Sequence, residues 1–136
     1  MIKNFRIFAL SNYTKSMDDI CIIKEVYKLL YQFEKDFFEK HQMTINDAMV
    51  ICCLKNGEEK SAGDICDFVG LSNSRVSKVL CTVEEMGYIQ RRLGSKDKRQ
   101  MFFSLTEKGR NKVETMKGQS LHFADFLKKI SKQCNQ

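Results

Sequence analysis

Two serine-capped helices joined by a very short turn constrain the fold of this 136-residue chain more than any other feature. Ser61 precedes a short apolar segment, 62–69, and Ser72 precedes a longer one, 73–86. Serine is a preferred N-cap because its hydroxyl accepts a hydrogen bond from a backbone N–H in the first helical turn. Gly70 lies between the two segments, where it allows the first helix to end. The pattern therefore predicts a helix-turn-helix.

After this motif the spacing at which apolar residues recur changes from every three or four positions, as in a helix, to every second position, as in a strand. Apolar and polar residues alternate over 89–93 and again over 101–105, and a polar tip, 94–99, separates the two runs. This arrangement predicts a β-hairpin with a long charged tip. A helix-turn-helix followed by such a hairpin is the order of a winged helix. The expected fold is therefore mainly α with a small β-hairpin wing.

Amphipathic helices are predicted on both sides of this motif. Apolar residues recur every three or four positions along 17–40. A second helix is expected over 45–55 with Thr44 as its cap, and a closing helical region over 107–132, broken near Gly118. The chain contains no proline, which favours long uninterrupted helices. One small protomer cannot bury all the apolar side chains of the terminal regions. We therefore expect a homodimer with N- and C-terminal dimerisation helices.

The positive charge is concentrated in one segment of the chain. There are 23 Lys and Arg residues against 17 Asp and Glu, a net charge of +6. Residues 72–112 contain ten of the basic side chains and only four of the acidic ones, so they account for the whole surplus. A local positive field of this kind favours a polyanion, nucleic acid before a membrane surface. We therefore expect the cations of this segment to face DNA.

The predicted helix 73–86 has one apolar face and one face of hydroxyls and cations. The apolar face, expected in the core, consists of Val76, Val79, Leu80 and Val83. The opposite face presents Ser74, Arg75, Ser77, Lys78 and Thr82. Such a helix can enter the major groove N-terminus first, where Arg75 or Lys78 would reach a guanine or a phosphate. The alternative is an ordinary solvated helix face.

The tip of the hairpin carries three cations around a single acid, namely Lys96, Asp97, Lys98 and Arg99. A narrow minor groove concentrates negative potential and attracts an inserted arginine. A neighbouring carboxylate can hold that guanidinium in one orientation through a bidentate pair. The tip is thus predicted to be the second DNA-contacting element, with a solvated charged turn as the alternative.

Four groups of residues between 71 and 109 form a more specific pattern. They are Leu71-Ser72-x-Ser74-x-Val76-Ser77, Glu84-Glu85-Met86-Gly87-Tyr88-Ile89-x-Arg91, Asp97-x-Arg99 and Leu105-Thr106-Glu107-Lys108-Gly109. Together they resemble the MarR family of transcriptional regulators. The resemblance implies a single MarR-type domain over 1–136. In it, 1–43 and 110–136 would form the dimerisation region and 44–109 the winged helix-turn-helix lobe.

The resemblance also implies roles for particular residues. Arg99 would enter the minor groove, and Asp97 would orient it. The matching positions of the recognition helix are Ser72, Ser74, Arg75, Ser77 and Lys78. Together with the pattern above, the candidate DNA-binding residues are Ser61, Ser72, Asn73, Ser74, Arg75, Ser77, Lys78, Thr82, Arg91, Lys96, Asp97, Lys98 and Arg99.

A function follows from the same resemblance. The expected protein is a repressor that binds a pseudo-palindromic double-stranded operator as a homodimer and releases it when a small phenolic or anionic effector binds. The effector would lie between the dimerisation helices and the DNA-binding lobe, where Tyr27, Tyr31, Phe33 and Phe37 could line its site. The alternative for these aromatic residues is ordinary core packing.

The cysteines allow a second regulatory hypothesis. The six cysteines have no Cys-x-x-Cys spacing and only two histidines accompany them, so neither a metal site nor a cofactor is expected. No export signal is evident, which predicts reduced thiols in the cytoplasm. Cys21 lies near the start of the first helix, as the reactive cysteine does in the peroxide-sensing branch of the MarR family. It is therefore a redox candidate, although the tyrosines of that branch have no counterpart here and packing is the alternative.

Other classes of function have little support in the sequence. No Ser/His/Asp set, glycine-rich phosphate loop or paired carboxylate site is recognisable, so an enzyme is not expected. No apolar run approaches the ~18–20 residues that cross a bilayer, so no membrane association is expected. The remaining alternative is a winged-helix module that contacts another protein and has no DNA target.

Overall fold

The computed structural model describes residues 17–118 and 123–134 of the chain. Six helices and three strands follow one another in these ranges, in the order α1 (Met17–His41), α2 (Ile45–Cys53), β1 (Lys60–Ser61), α3 (Ala62–Val69), α4 (Asn73–Glu85), β2 (Ile89–Leu93), β3 (Met101–Leu105), α5 (Glu107–Gly118) and α6 (Phe123–Cys134). This is a winged helix fold, mainly α with a small antiparallel sheet, as predicted. The predicted break near Gly118 separates α5 from α6.

The chain divides into two compact units. Residues 34–118 form the winged-helix unit, and the described residues 17–33 and 123–134 belong to the terminal-helix unit. The core of the winged-helix unit is apolar and fully buried, with Met43, Ile51, Leu54, Ile65 and Ile89 among its largest side chains. Phe37, near the end of α1, packs against this core.

Three helices of the winged-helix unit begin at the residues that the sequence predicts as caps. The hydroxyls of Thr44 and Ser61 each accept a hydrogen bond from the backbone N–H three residues on, at 3.1 Å in both cases. Asp47 and Asp64 complete a capping box at these two sites by accepting the backbone N–H of the cap residue. Ser72 caps α4 in the same way, without the reciprocal carboxylate. These side-chain bonds satisfy N–H groups that have no partner within the helix.

The sheet contains one strand more than the sequence predicts. Its order is β1-β3-β2, with Ile89 opposite Leu105 and Leu93 opposite Met101 in the predicted hairpin. The additional strand, β1, is two residues long and pairs with β3 in front of α3. It thereby attaches the beginning of the helix-turn-helix to the hairpin.

The segment that follows the hairpin is held by a close backbone approach. The hydroxyl of Thr106 donates to the carbonyl oxygen of Gly87 at 2.6 Å and accepts the backbone N–H of Gly109 at 3.0 Å. The backbone N–H of Thr106 donates to the carbonyl oxygen of Tyr88 at 3.0 Å. A Cβ at position 109 would overlap that same Tyr88 carbonyl group. The Leu-Thr-x-x-Gly pattern therefore fixes α5 against the turn between α4 and β2.

The terminal-helix unit differs from the winged-helix unit in the exposure of its apolar side chains. None of its described residues is buried, and Ile20, Ile23, Tyr27 and Tyr31 of α1 are all more than half exposed. Phe33 contacts Phe126 of α6 with 4.8 Å between their ring centroids. No helix in the described ranges is long and apolar enough to cross a membrane.

Candidate nucleic-acid interface

The two faces of α4 are divided as the sequence predicts. Val76, Leu80 and Val83 are buried, and Val79 is half-buried beside them. The predicted DNA-binding side chains on the opposite face are all exposed, namely Ser74, Arg75, Ser77, Lys78 and Thr82. Because the valine and leucine face holds the helix in the core, the polar face is presented to solvent over its whole length.

The predicted site residues at the helix N-termini already have partners within the fold. Ser72 accepts the backbone N–H of Arg75 at 3.3 Å, and Ser61 accepts that of Asp64. The amide oxygen of Asn73 accepts the thiol of Cys66 at 2.8 Å. Ser72 and Asn73 are exposed, whereas Ser61 is half-buried at the junction of β1 and α3. Ser61 therefore has a structural role that the prediction of a DNA contact does not describe.

The wing tip is a closed loop with its cations outside. The backbone N–H of Gly94 donates to the carbonyl oxygen of Gln100 at 2.8 Å, and that of Gln100 donates to the carbonyl oxygen of Asp97 at 3.1 Å. A Cβ on Gly94 would lie 2.5 Å from the Asp97 carbonyl oxygen, so only glycine fits at the base of this loop. Lys96, Lys98 and Arg99 are exposed.

Asp97 contacts Arg99 in a way that differs from the predicted pair of side chains. Its carboxylate accepts the backbone N–H of Arg99 at 2.9 Å, and no ion pair between the two side chains is present. The carboxylate thus stabilises the turn that carries Arg99 and leaves the guanidinium free. This is the geometry expected of an Asx-type turn, in which the side chain bonds to the backbone two residues on.

Five of the ten cations in the basic segment have no partner among the described residues. They make neither an ion pair nor a side-chain hydrogen bond, and all are exposed: Arg75, Lys78, Lys96, Lys98 and Arg99. Two lie on the first turns of α4 and three on the wing tip. Unpaired cations at two separate points of the winged-helix unit are suited to phosphate groups, because contacts to both would not require breaking any ion pair.

Two arginines of β2 are engaged by carboxylates instead. The Nε of Arg91 donates to Glu84 at 2.6 Å, and Arg92 donates to Glu59 from two of its nitrogens, the shorter distance being 2.6 Å. These hydrogen bonds raise the pKa of both guanidinium groups, and the hydrogen bond from Arg92 lowers the pKa of Glu59. Arg91 was expected to bind DNA, and its side chain lies against α4.

The remaining three cations of the segment donate to carbonyl groups. Lys108 donates to the Met86 carbonyl oxygen at 2.7 Å, Lys112 to that of His41 at 2.6 Å and Arg110 to that of Leu105 at 3.2 Å. Met86 and His41 lie at the C-terminal ends of α4 and α1, where carbonyl groups lack helical partners and attract cations. Lys108 and Lys112 thus stabilise helix ends and Arg110 the end of β3, a role that the expectation of a surplus facing DNA did not include.

The cysteines differ in their surroundings. Cys21, the redox candidate, is exposed on α1. Burial raises the pKa of the thiols of Cys52 and Cys53, which keeps them protonated and unreactive. Cys66 is half-buried on α3, where its thiol lies near the carbonyl oxygen of Leu71 and near Asn73, both in the turn and start of α4. The Cys66 contact was not foreseen, because nothing in the spacing of residues 66 and 73 signals it.

The four aromatic residues that were predicted to line an effector site have different environments. Tyr27 and Tyr31 are exposed, at 68% and 70%. Phe33 packs on Phe126 in the terminal-helix unit. In the winged-helix unit, Phe37 packs on the ring of His41 with 4.6 Å between centroids. The two phenylalanines thus have packing partners, and the effector site remains a prediction.

A known family of DNA-binding domains matches the winged-helix unit of this chain. Residues 43–109 match the winged helix DNA-binding domain family. The HTH-type transcriptional regulator SarZ of Staphylococcus haemolyticus (strain JCSC1435) is 32% identical over 91 residues, which are 66% of this chain and 62% of SarZ. The chain therefore spans less than two thirds of the length of this curated relative.

Solved structures share the fold at lower identity. A MepR-like protein in complex with pseudoligands is similar with a TM-score of 0.72 and 17% identity, over 85% of this chain and 82% of that one. Overoxidized AbfR bound to DNA, a protein of Staphylococcus epidermidis, is similar with a TM-score of 0.62 and 22% identity, over 85% and 78% of the two chains. At these identities the similarity is one of fold.

Proposed function

We propose that the chain is a member of the MarR family of winged helix-turn-helix regulators and that it is a sequence-specific DNA-binding transcriptional regulator. It would act as a homodimer on a pseudo-palindromic operator, as a repressor in the cytoplasm. The family is one of regulators rather than enzymes. The observation that carries the proposal is the set of five exposed, unpaired cations on α4 and the wing tip.

The two groups of cations support contacts to two grooves. Arg75 and Lys78 lie in the first turns of α4, whose N-terminal end carries a positive dipole and can enter a major groove. Arg99 lies on the wing tip, where it would be available to the negative potential of an adjacent minor groove. AbfR, which shares the fold, has been solved bound to DNA, and the present proposal extends that mode of binding to this chain.

The exposed apolar residues of α1 support the dimer. Single exposed apolar side chains are ordinary, but a stripe along one helix marks an interaction surface. In a two-fold dimer the same stripe would meet itself, and two recognition helices would lie about one DNA turn, ~34 Å, apart. An effector that changed this spacing would lower DNA affinity, since both helices must fit the groove at once. We propose a small phenolic or anionic molecule for this role, and the pseudoligands of the MepR-like structure support the presence of a ligand site in this fold.

The proposal is tested by selecting bound DNA from a random pool and measuring affinity for the selected site at several salt concentrations. We expect a steep decrease of affinity with salt. Replacing Arg99 or Arg75 with alanine should cost about 1–3 kcal/mol where the side chain reads a base edge, or reduce the salt slope by ~1 per protomer where it contacts a phosphate. Lys117→Ala is the control, because Lys117 pairs with Glu114 at the end of α5.

Two results would contradict DNA binding as the function. One is wild-type affinity in both Arg75→Ala and Arg99→Ala. The other is the absence of any salt slope for the wild-type chain. Either would favour the alternative of a winged-helix module that contacts another protein.

A thiol switch at Cys21 is the second candidate for regulation. The exposure of Cys21 makes it accessible to an oxidant, and AbfR has been solved in both reduced and overoxidized forms bound to DNA. If Cys21 senses peroxide, peroxide will change operator affinity of the wild type and not of Cys21→Ser. The same response in both proteins, or none in either, rules the switch out.

A further inference from the structure

Arg91 connects the recognition helix with both strands of the wing. Its Nε donates to Glu84 of α4 at 2.6 Å, and its Nη2 lies 4.0 Å from the sulfur of Cys81, one turn earlier on the same helix. Its Nη1 lies 3.5 Å from the sulfur of Met101 on β3, while Arg91 itself belongs to β2. Each of the three nitrogens of the guanidinium therefore has a different partner.

The chemistry of these contacts requires an arginine. The guanidinium is planar and presents its donors in fixed directions, so one group can hold several partners at set angles. A lysine at the same position would carry the same charge on a single nitrogen and could not reach all three partners. The guanidinium also lies 5.8 Å from the ring centroid of Phe103, a buried residue of β3. The position thus depends on the shape of the side chain as well as on its charge.

We propose that Arg91 is a positioning residue that holds the wing at a fixed angle to α4, and that it does not contact DNA itself. The inference rests on the proposed function and deepens it. If α4 enters a major groove and Arg99 an adjacent minor groove, the distance between them must match the duplex. A connection that is formed before binding reduces the conformational freedom that binding would otherwise have to remove.

The neighbouring arginine provides an internal control. Arg92 points to the opposite face of β2, where it binds Glu59 and lies 5.1 Å from the ring centroid of Phe102. It is likewise an exposed cation in an ion pair, yet its partner Glu59 precedes β1 and does not belong to α4. Loss of the Arg92 pair removes a charge and an ion pair from the same strand without touching the recognition helix.

The decisive variant is Arg91→Lys, which keeps the charge and loses the geometry. We expect its affinity for the selected operator to fall roughly tenfold, a size typical of coupled neighbouring residues. Its salt slope should equal that of the wild type, because no phosphate contact is lost. Arg91→Met should lose a similar amount of affinity. Glu84→Gln should also lower the affinity, and the loss in the double variant Glu84→Gln/Arg91→Met should be smaller than the sum of the two single losses, because both remove the same contact. Arg92→Met and Glu59→Gln should remain within about twofold of the wild type, the scatter expected for sites that do not couple.

Direct contact with DNA would produce a different set of results. In that case Arg91→Lys would bind the operator like the wild type. Arg91→Met would reduce the salt slope of binding by ~1 per protomer, because a phosphate contact is lost. Glu84→Gln would bind the operator more tightly, because it releases the guanidinium of Arg91. Any of these three results overturns the inference. So does an equal loss in Arg92→Met, since the connection to α4 would then have no special importance.

A measurement on the free protein separates this inference from the proposed function. Hydrogen exchange of the wing, 89–105, should be faster in Arg91→Lys than in either the wild type or Arg92→Met, while exchange in α2 stays the same in all three. Unchanged exchange in the wing contradicts a positioning role whether or not the chain binds DNA. Faster exchange with no salt-dependent binding by the wild type would contradict the proposed function alone.

Discussion

The winged-helix unit has a buried apolar core, from Met43 to Val113, although Phe68 and Leu93 are exposed on its surface, whereas in the terminal-helix unit Ile20, Tyr27 and Tyr31 are more than half exposed and no core is formed by the described residues. The first unit has its own core, two capping boxes and a sheet that closes over α3. In the second, Phe33 packs on Phe126, and Ile20, Tyr27 and Tyr31 are exposed in the structure of the described residues. Of the described residues, those of the winged-helix unit form a core by themselves, and the exposed apolar side chains of the other unit are those that the proposed dimer would bury.

The largest expected effect tests whether the winged-helix unit is a complete fold. In Gly109→Ala the new methyl group would collide with the backbone of Tyr88, which is held by Thr106 and cannot move away. We expect a loss of at least about 3 kcal/mol in the free energy of unfolding, the upper range for overpacking. Urea denaturation followed by circular dichroism measures it. Gly118→Ala is the control, because a Cβ there meets nothing within 4 Å. Equal stability of the two variants would show that α5 is not fixed in this way.

The next effect tests the terminal-helix unit as half of an interface. Tyr27→Glu places a charge in the exposed stripe of α1, and burying it without a partner in a dimer is costly. The dimer should weaken by at least about a hundredfold, or about 2.7 kcal/mol, in analytical ultracentrifugation. The unfolding of the winged-helix unit should not change. Lys40→Glu, at an exposed position on the opposite side of α1 from the stripe, is the control. A wild type that sediments as a monomer would remove the basis for the comparison.

The smallest effect measures how much one cap contributes to the winged-helix unit. Ser72→Ala removes the oxygen that accepts the backbone N–H of Arg75 and should cost ~1 kcal/mol of unfolding free energy. Ser74→Ala, two residues further along the exposed face of α4, should change stability by less than about 0.5 kcal/mol. If both substitutions have the same effect, the cap contributes nothing beyond an ordinary surface serine.

The local elements could be predicted from the sequence because each is determined by neighbouring residues. Thr44, Ser61 and Ser72 are caps whose partners lie three residues away, and the alternation after Gly87 identifies both strands of the hairpin. The strand β1 was missed because two residues are too few to show a period, and it exists only through its pairing with β3.

The roles of the cations depended on contacts between distant residues. Lys112 and His41 are far apart in the chain, as are Arg92 and Glu59, so a count of charges could not separate these cations from the unpaired ones. The ion pair of Glu84 and Arg91, only seven residues apart, could have been predicted from the sequence. Glu84 and Arg91 flank the turn at Gly87, and opposite charges on both sides of a helix-to-strand turn can meet.

The two arginines of β2 also affect whether a strand of a second molecule can add to the edge of the sheet. In the described sheet β2 pairs with β3 alone, so its other edge is open to addition of a strand from a second molecule. Charged residues in the middle of an edge strand oppose such addition, because each would have to lose its water. Arg91 and Arg92 occupy the middle of this strand, between Ile89 and Leu93. Two charged side chains on this strand therefore make the addition of a further strand at its edge unfavourable.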